Sequence, residues 1–456
     1  MPLEPLHLGK TFLHYLRYAE YFSLFLIVFS AIRTREHVKV LLGSILLAIV
    51  AVAIYGYGQR YHYWPVYSTM NREFSKGIRL YLTENARVQS TFAGHYDLGA
   101  YLVIVLPILL GIGYTVKKWW QKLSIHAIHW LGLWLLVISA ARSSFFGYLI
   151  GVLLVTILFA SRQPTWFKRF SWASSRYLVI MLVVGYTLFN HGDDIYERFL
   201  QVLKSYPEAH ETYHSINHQR IQLVDNYFLV PLGLKDVSLP KGQKPDNGLS
   251  TDEAQNIVLK SDTTPSTGRP SDVYEDIPDQ VEVTSQDSDG NWITTIEERE
   301  RTYSANAQRY GLSLGIRLDT LWPQAIAGFL RQPLFGSGYA TLNKENPYHF
   351  TEADGTDNNF LRILGETGFL GFVSFFAIIG IASFYALKAF RYSDDTLLQA
   401  VAAGYLGASI GLLINAVYID VYAASKVASV YWAVTGLLIG FYLISQPKVT
   451  TKKKQS

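Results

Sequence analysis

The stretch TDNNFLRILGETGFLG, Thr356 to Gly371, sets three charged side chains at the head of an apolar run. A carboxylate such as Asp357 can take a proton from an attacking hydroxyl. Arg362 and Glu366 follow at i, i+4 spacing, which on a helix lets them neutralise one another. Thr356 and Asp357 also suit the N-cap of a helix beginning at Asn358, a purely structural use. Two more arginines stand where charge is costly. Arg142 lies in WLLVISAARSSFFGYLIGVLL, between apolar runs with almost no connection. Deep in a membrane helix an Arg costs roughly 2.5–3.5 kcal/mol on insertion scales. It is either an interfacial side chain reaching toward water or an anion ligand, because guanidinium matches phosphate oxygens. Arg317 opens an amphipathic segment ahead of QPLFGSGYAT, where Gly336 and Gly338 allow a tight turn. It is either solvated on a polar face or a second anion ligand.

Other chemistries have less support. His210, His214 and His218 share one helical face, which suits a solvated surface better than a metal. The chain has no cysteine, which removes disulfides and thiolate metal sites. No His-Glu-x-x-His pattern occurs, and neither a metal nor a cofactor is expected. Nor is nucleic acid expected as a partner, since the net charge is only +4.

The elements that must position these residues are membrane helices. Of 456 residues, 50% are hydrophobic and only 17% charged, and the apolar ones are blocked into long runs. About nine runs approach the length needed to cross a hydrocarbon core of roughly 30 Å. They lie near Tyr18–Ile32, Val40–Tyr57, Asp97–Val116, Leu123–Ala141, Ser143–Ala160, Tyr177–Asn190, Asn358–Phe390, Leu398–Tyr418 and Ala424–Ser445. The expected fold is an all-α polytopic transmembrane bundle. An N-terminal bundle over residues 1–190 carries an outer loop at 58–96. A large external loop domain fills 191–357, between spans six and seven, and C-terminal helices with a basic tail fill 358–456.

Alternate short connections are basic: RTREHVK, KKWWQK, SRQPTWFKRFSWASSR and the tail KVTTKKKQS. The positive-inside rule makes that side cytoplasmic and places both long segments outside. Within the large loop, residues from about 235 to 301 are acidic, polar and poor in large apolar side chains, which predicts a flexible insert. The segment LSLGIRLDTLWPQAIAGFLRQ places Leu318, Leu321, Trp322, Ala325, Ile326 and Phe329 on one stripe, suiting an interfacial helix.

The opening stretch resembles the signature of the O-antigen ligase and O-antigen polymerase superfamily of polytopic membrane glycosyltransferases. That signature is a His or Asp, then Asn, nine residues, Gly, two residues and Gly. Asp357, Asn358, Gly368 and Gly371 fill these places, and Glu366 matches a recurrent acidic position. RVQSTFAGHYDLGAYLVIVLPILLG from Arg87, SAARSSFFGYLIG around Arg142 and GIRLDTLWPQAIAGFLRQPLFGSGY around Arg317 resemble three further family segments in the same order. The family usually has ten or more spans and a cytoplasmic N-terminus. Nine spans therefore imply either a missing upstream part or a count off by one. The ligases carry His where this chain has Asp357, so Asp is closer to the polymerases.

The resemblance implies transfer of a glycan from undecaprenyl pyrophosphate to an acceptor sugar hydroxyl, without a metal, at the outer side of a bacterial inner membrane. The implied partners are the lipid-linked donor, the acceptor glycan and the bilayer. It implies Asp357 as catalytic base, with Glu366 the second candidate catalytic carboxylate. Arg142 and Arg317 would hold the pyrophosphate, and Arg87, Asn358 and Arg362 would contribute to substrate binding. Two alternatives remain: a ligase moving finished glycan to a lipid or protein carrier, and a transporter of lipid-linked glycan. A transporter should show inverted repeats, and no internal repeat is visible.

Overall fold

The computed structural model describes residues 5–67, 80–82, 87–192, 195, 249–250, 279–286, 292–299, 306, 312–342 and 355–446. In chain order these give α1 (Pro5–Ala31), α2 (Arg35–His62), α3 (His95–Thr115), α4 (Trp119–Ile138), α5 (Arg142–Ala160) and α6 (Trp166–His191). After the large loop come α7 (Leu312–Ile316), a π-helical turn at Arg317–Leu321, α8 (Trp322–Arg331), α9 (Asn359–Tyr392), α10 (Thr396–Asn415) and α11 (Ser425–Ile444). Eight of these, α2 to α6 and α9 to α11, are long and apolar enough to cross a membrane. The fold is an all-α polytopic bundle. Each expected span falls on a helix. α1 starts well before its apolar half, and α6 begins at Trp166, inside the expected basic connection, where the Thr165 side chain caps it by accepting from Lys168 N.

α10 runs through the middle of the bundle, packed on both α3 and α5. Small residues make the approach close. A β-carbon on Gly147 of α5 would stand 2.5 Å from the Gly411 carbonyl oxygen of α10, and one on Gly151 would stand 2.6 Å from that of Gly407. Glycine lets membrane helices touch backbone to backbone, where van der Waals contact replaces the absent hydrophobic drive. α1 lies along α11. Tyr21 Oη donates to the Ala423 carbonyl at 3.3 Å, and Phe25 abuts Gly436 further along. The two helices therefore run parallel, and α1 begins at the same end of the bundle as α11.

The helix ends separate into two faces. The α1–α2, α3–α4, α5–α6 and α9–α10 connections share one end, where Arg35 Nη2 lies 3.0 Å from Asp395 Oδ1 and Arg162 donates to the Phe390 carbonyl. The basic loops thus gather on one face. The opposite face carries the end of α2, the start of α3, the α4–α5 turn, the end of α6, the start of α9 and the α10–α11 turn.

Strands β1 (Leu80–Tyr81) and β2 (Leu249–Ser250) pair in parallel, joining the first long segment to the large loop. β3 (Asp279–Gln286) and β4 (Trp292–Arg299) form an antiparallel hairpin, registered from Asp279 opposite Arg299 to Gln286 opposite Trp292. Composition averaged over 235–301 predicts no structure there. The β-branched residues of DQVEVTSQ and WITTIEER nevertheless support two strands locally. His210, His214, His218 and the periodic segment around them lie outside the described residues, apart from Ile195.

Candidate active site at the mouth of α9

α9 begins at Asn359, and its cap is Asn358, whose side-chain oxygen accepts from Leu361 N at 3.0 Å. The cap is therefore one residue later than expected. Asp357, freed from capping, takes a left-handed backbone with φ +52°, a region Asp tolerates better than most residues. This turns its side chain toward the large loop. Arg317 Nη2 lies 2.9 Å from Asp357 Oδ2. The Arg317 side chain is 10% exposed and that of Asp357 is 44% exposed, so the pair has a buried cation and an accessible carboxylate. Arg317 also donates to the Tyr418 carbonyl at 3.3 Å. It opens the π-helical turn, a local over-winding that recurs at functional positions.

Beneath this pair stands a second set of charges. Asp420, in the α10–α11 turn, accepts from the backbone N–H groups of Thr356 (2.8 Å), Asp357 (3.3 Å) and Asn358 (3.1 Å). Arg362 Nη1 donates to the same carboxylate at 3.0 Å, and Arg362 Nε lies 3.4 Å from Glu366. Glu366, 3% exposed, also accepts from Ala340 N at 3.1 Å. A buried charge is tolerated only when paired and hydrogen-bonded, and here all three are. Sequence reasoning missed Asp420. Its signal was a lone acidic residue in the short apolar connection AVYIDVYAA, where an unpaired charge would be expensive.

The floor of the site is a break in α9. Gly368 leaves helical geometry with φ +66°, so the carbonyls before it lose their helical donors. The loop 333–338 supplies replacements: Ser337 N donates to Gly365 O and Gly338 N to Glu366 O, both at 2.9 Å. In return Phe369 N donates to Pro333 O at 2.8 Å. A β-carbon on Gly336 would stand 2.5 Å from the Glu366 carbonyl, and Gly336 itself has φ +73°. Gly336 is thus required by contact and by backbone angle together, and Gly338, with φ +103°, by backbone angle alone. The π-helical turn and α8 brace this half of α9 with Leu321, Ala325 and Gly328 on their buried side, whereas Ile326, expected on that stripe, is exposed.

The structure therefore brings Arg317 to Asp357, and Arg362 and Glu366 to Asp420. Arg362, Glu366 and the Asn358 oxygen, expected to meet substrate or take part in chemistry, are buried and engaged by protein groups. Arg142 is exposed at the first position of α5 on the same face, and its neighbours Ser143 and Ser144 bond to Asn415 of α10 at 2.7 and 2.8 Å. Arg87 also lies on that face, with Nη1 2.8 Å from His95 Nε2 at the start of α3. Tyr339, between the loop and α1, has its phenol pushed up by burial and by the Glu366 carboxylate.

Residues 282–376 match the model of a family described as O-antigen ligase. The matched segment contains Arg317, Asp357, Asn358, Arg362, Glu366 and the glycines of the break, while Arg87, Arg142 and Asp420 lie beyond it. No curated protein matches the chain. The matched segment carries the mouth of α9 with its charges, and it supports membership of this multi-pass chain in the O-antigen ligase and polymerase superfamily, with a membrane glycan-processing function.

Proposed function

We propose that the chain is a glycosyltransferase that transfers or polymerises undecaprenyl-pyrophosphate-linked oligosaccharide units onto an acceptor sugar hydroxyl. The observation that carries this reading is the 2.9 Å pair of a buried Arg317 with an accessible Asp357 at the head of a membrane helix. A lipid headgroup reaches that depth. The donor's pyrophosphate competes with the Asp357 carboxylate for the Arg317 guanidinium, a fork suited to phosphate oxygens. Asp357, released from Arg317, takes the proton of the acceptor hydroxyl. The hydroxyl oxygen bonds to the anomeric carbon, the bond from that carbon to the pyrophosphate oxygen breaks, and the electron pair leaves with the lipid pyrophosphate. Arg317 stabilises the charge that grows there, and Arg142 on the same face is the second cation for it. Arg362, Glu366 and Asp420 hold the mouth of α9 in place.

The basic face of the bundle is the cytoplasmic one by the positive-inside rule, so the site faces the exterior of a bacterial inner membrane. An Asp at position 357 favours polymerisation over ligation, because the ligases use His there. The test is transfer by purified protein in lipid nanodiscs, supplied with lipid-linked oligosaccharide from the source cells. Elongated lipid-linked product supports the polymerase reading. Absence of any glycan transfer by a folded, donor-binding protein sinks it.

A further inference from the structure

α1 is long, its first half mixes Lys10, His14 and Arg17 with exposed Leu8, Phe12, Leu13 and Leu16, and one stripe along it, Thr11, His14, Tyr18 and Tyr21, faces the inside of the bundle. Thr11 Oγ1 donates to the Tyr339 carbonyl at 3.0 Å. Tyr339 lies between two rings of α1, 6.4 Å from Tyr15 and 5.2 Å from Tyr18 by centroid. Tyr15 is exposed, Tyr339 partly buried and Tyr18 only 8% exposed, so the three rings form a wall leading inward. The wall ends at the charged cluster. Tyr18 lies within electrostatic reach of Arg362, Glu366 and Asp420, and His14 within reach of Arg362. The Tyr18 hydroxyl is buried and has no hydrogen-bond partner among the described residues, and the same holds for the Thr356 hydroxyl, whose residue's N–H is held by Asp420.

We propose that α1 and Tyr339 form a sugar-binding subsite for the acceptor glycan, resting on the glycosyltransferase reading above. A pyranose offers two kinds of surface. Its C–H face packs on aromatic rings, and its hydroxyls both donate and accept. The Tyr15–Tyr339 wall supplies the first and the Tyr18 and Thr356 hydroxyls the second. A buried hydroxyl left unsatisfied is costly, and native proteins rarely keep one without a use. A lipid tail would satisfy the rings but leave both hydroxyls unpaired. A free phosphate would meet the Glu366 and Asp420 carboxylates that already hold Arg362, and would gain nothing from the rings. A neutral glycan fits all of these groups. The subsite also gives α1 a role that its hydropathy does not explain.

Tyr18→Phe removes only the hydroxyl oxygen, and Tyr339→Phe keeps the stacking ring while Tyr339→Ala removes it. Each variant and the unmodified protein are placed in nanodiscs. Affinity is measured for fluorescent oligosaccharide fragments released by mild acid from the lipid-linked glycan of the source cells, and thermal unfolding is followed by tryptophan fluorescence. Tyr18→Phe is expected to weaken fragment binding roughly two- to tenfold, the loss of one neutral hydrogen bond. Its melting temperature is expected to hold or rise, because no protein partner is orphaned. Tyr339→Ala should weaken binding more than Tyr339→Phe. Unchanged fragment affinity in Tyr18→Phe, or a lowered melting temperature with weaker binding, overturns the subsite. Binding is read apart from turnover: unmodified protein that binds fragments but transfers nothing sinks the glycosyltransferase reading alone, whereas transfer with unchanged Tyr18→Phe affinity sinks the subsite alone.

Discussion

Arg317 and Asp357 are separated by forty positions in the chain, yet their side chains meet at 2.9 Å, the cation buried and the carboxylate open. The π-helical turn that begins at Arg317 and the left-handed backbone of Asp357 both depart from regular geometry to make this contact. Backbone departures of this kind persist where surrounding structure over-determines them. Here the surroundings are the Asp420 carboxylate under three successive N–H groups and the α8 brace against α9.

Asp357→Asn separates chemistry from structure. The cap of α9 is Asn358, so helix capping is untouched, and Asn adopts a left-handed backbone readily. The expected outcome is a folded protein that binds donor but transfers glycan about a hundred- to ten-thousandfold more slowly, the usual worth of a positioned base. Single-turnover transfer in nanodiscs measures it. A near-normal rate would remove Asp357 from the chemistry.

Arg317→Lys keeps the charge and loses the planar fork. Loss of one charge-assisted hydrogen bond predicts a roughly ten- to hundredfold fall in donor affinity or turnover. Titration of lipid-linked donor against the variant reads this out. Affinity within about twofold of the unmodified protein would assign Arg317 a structural part only.

Asp420→Ala leaves Arg362 without one of its two carboxylates and leaves three backbone N–H groups without an acceptor. Breaking a buried ion pair costs about 3–5 kcal/mol, so the variant should unfold at clearly lower temperature. Arg162→Gln on the opposite face provides the contrast, since its partner is a carbonyl rather than a charge, and its shift should be the smaller. Equal shifts would show that the Asp420 network adds nothing particular.

Much of this was readable from the chain and some was not, for physical reasons. Apolar runs report burial in lipid directly, so the helices α2 to α5 and α9 to α11 follow from composition and length. α6 was read short because its first turns, TWFKRFSW, are basic and aromatic, the marks of an interface rather than a core. The β3–β4 hairpin was hidden by averaging over a polar insert. In the candidate site, the acidic and basic residues stood out because charge is expensive in a membrane. Their pairing did not, since Arg317 meets Asp357 and Arg362 meets Asp420 only after distant helices pack. Glu366 and Arg362 carry two readings in the sequence, a mutual i, i+4 pair and a substrate contact, and the folded chain has the pair.

The orientation can be checked in this cysteine-free chain with two substitutions at exposed positions. Ser161→Cys lies in the α5–α6 connection on the basic face, and Thr91→Cys lies ahead of α3 on the face of the site. An impermeant maleimide applied to spheroplasts should label Thr91→Cys and leave Ser161→Cys unmodified until the membrane is opened. The reverse pattern would turn the bundle over and move the site to the cytoplasmic side.

Gly336→Ala and Gly338→Ala test how the break in α9 is held. Both glycines have positive φ, +73° and +103°, so alanine at either suffers backbone strain, on the order of 1–3 kcal/mol. They differ in space. A β-carbon at 338 would meet nothing closer than Thr341 Cγ2 at 3.4 Å, an ordinary contact. At 336 it would stand 2.5 Å from the Glu366 carbonyl and from Gly368 N, both backbone atoms that cannot swing aside. To admit it, the loop must part from α9, and the bonds from Ser337 N and Gly338 N to the carbonyls of Gly365 and Glu366 must go with it. Ala340 N, which donates to Glu366, would be carried off as well, loosening the Arg362 pair. Gly336→Ala should therefore lower both the melting temperature and transfer well below the levels of Gly338→Ala. If the two variants behave alike in unfolding and in transfer, backbone strain alone explains these glycines and the close approach of loop to helix has no consequence for the site.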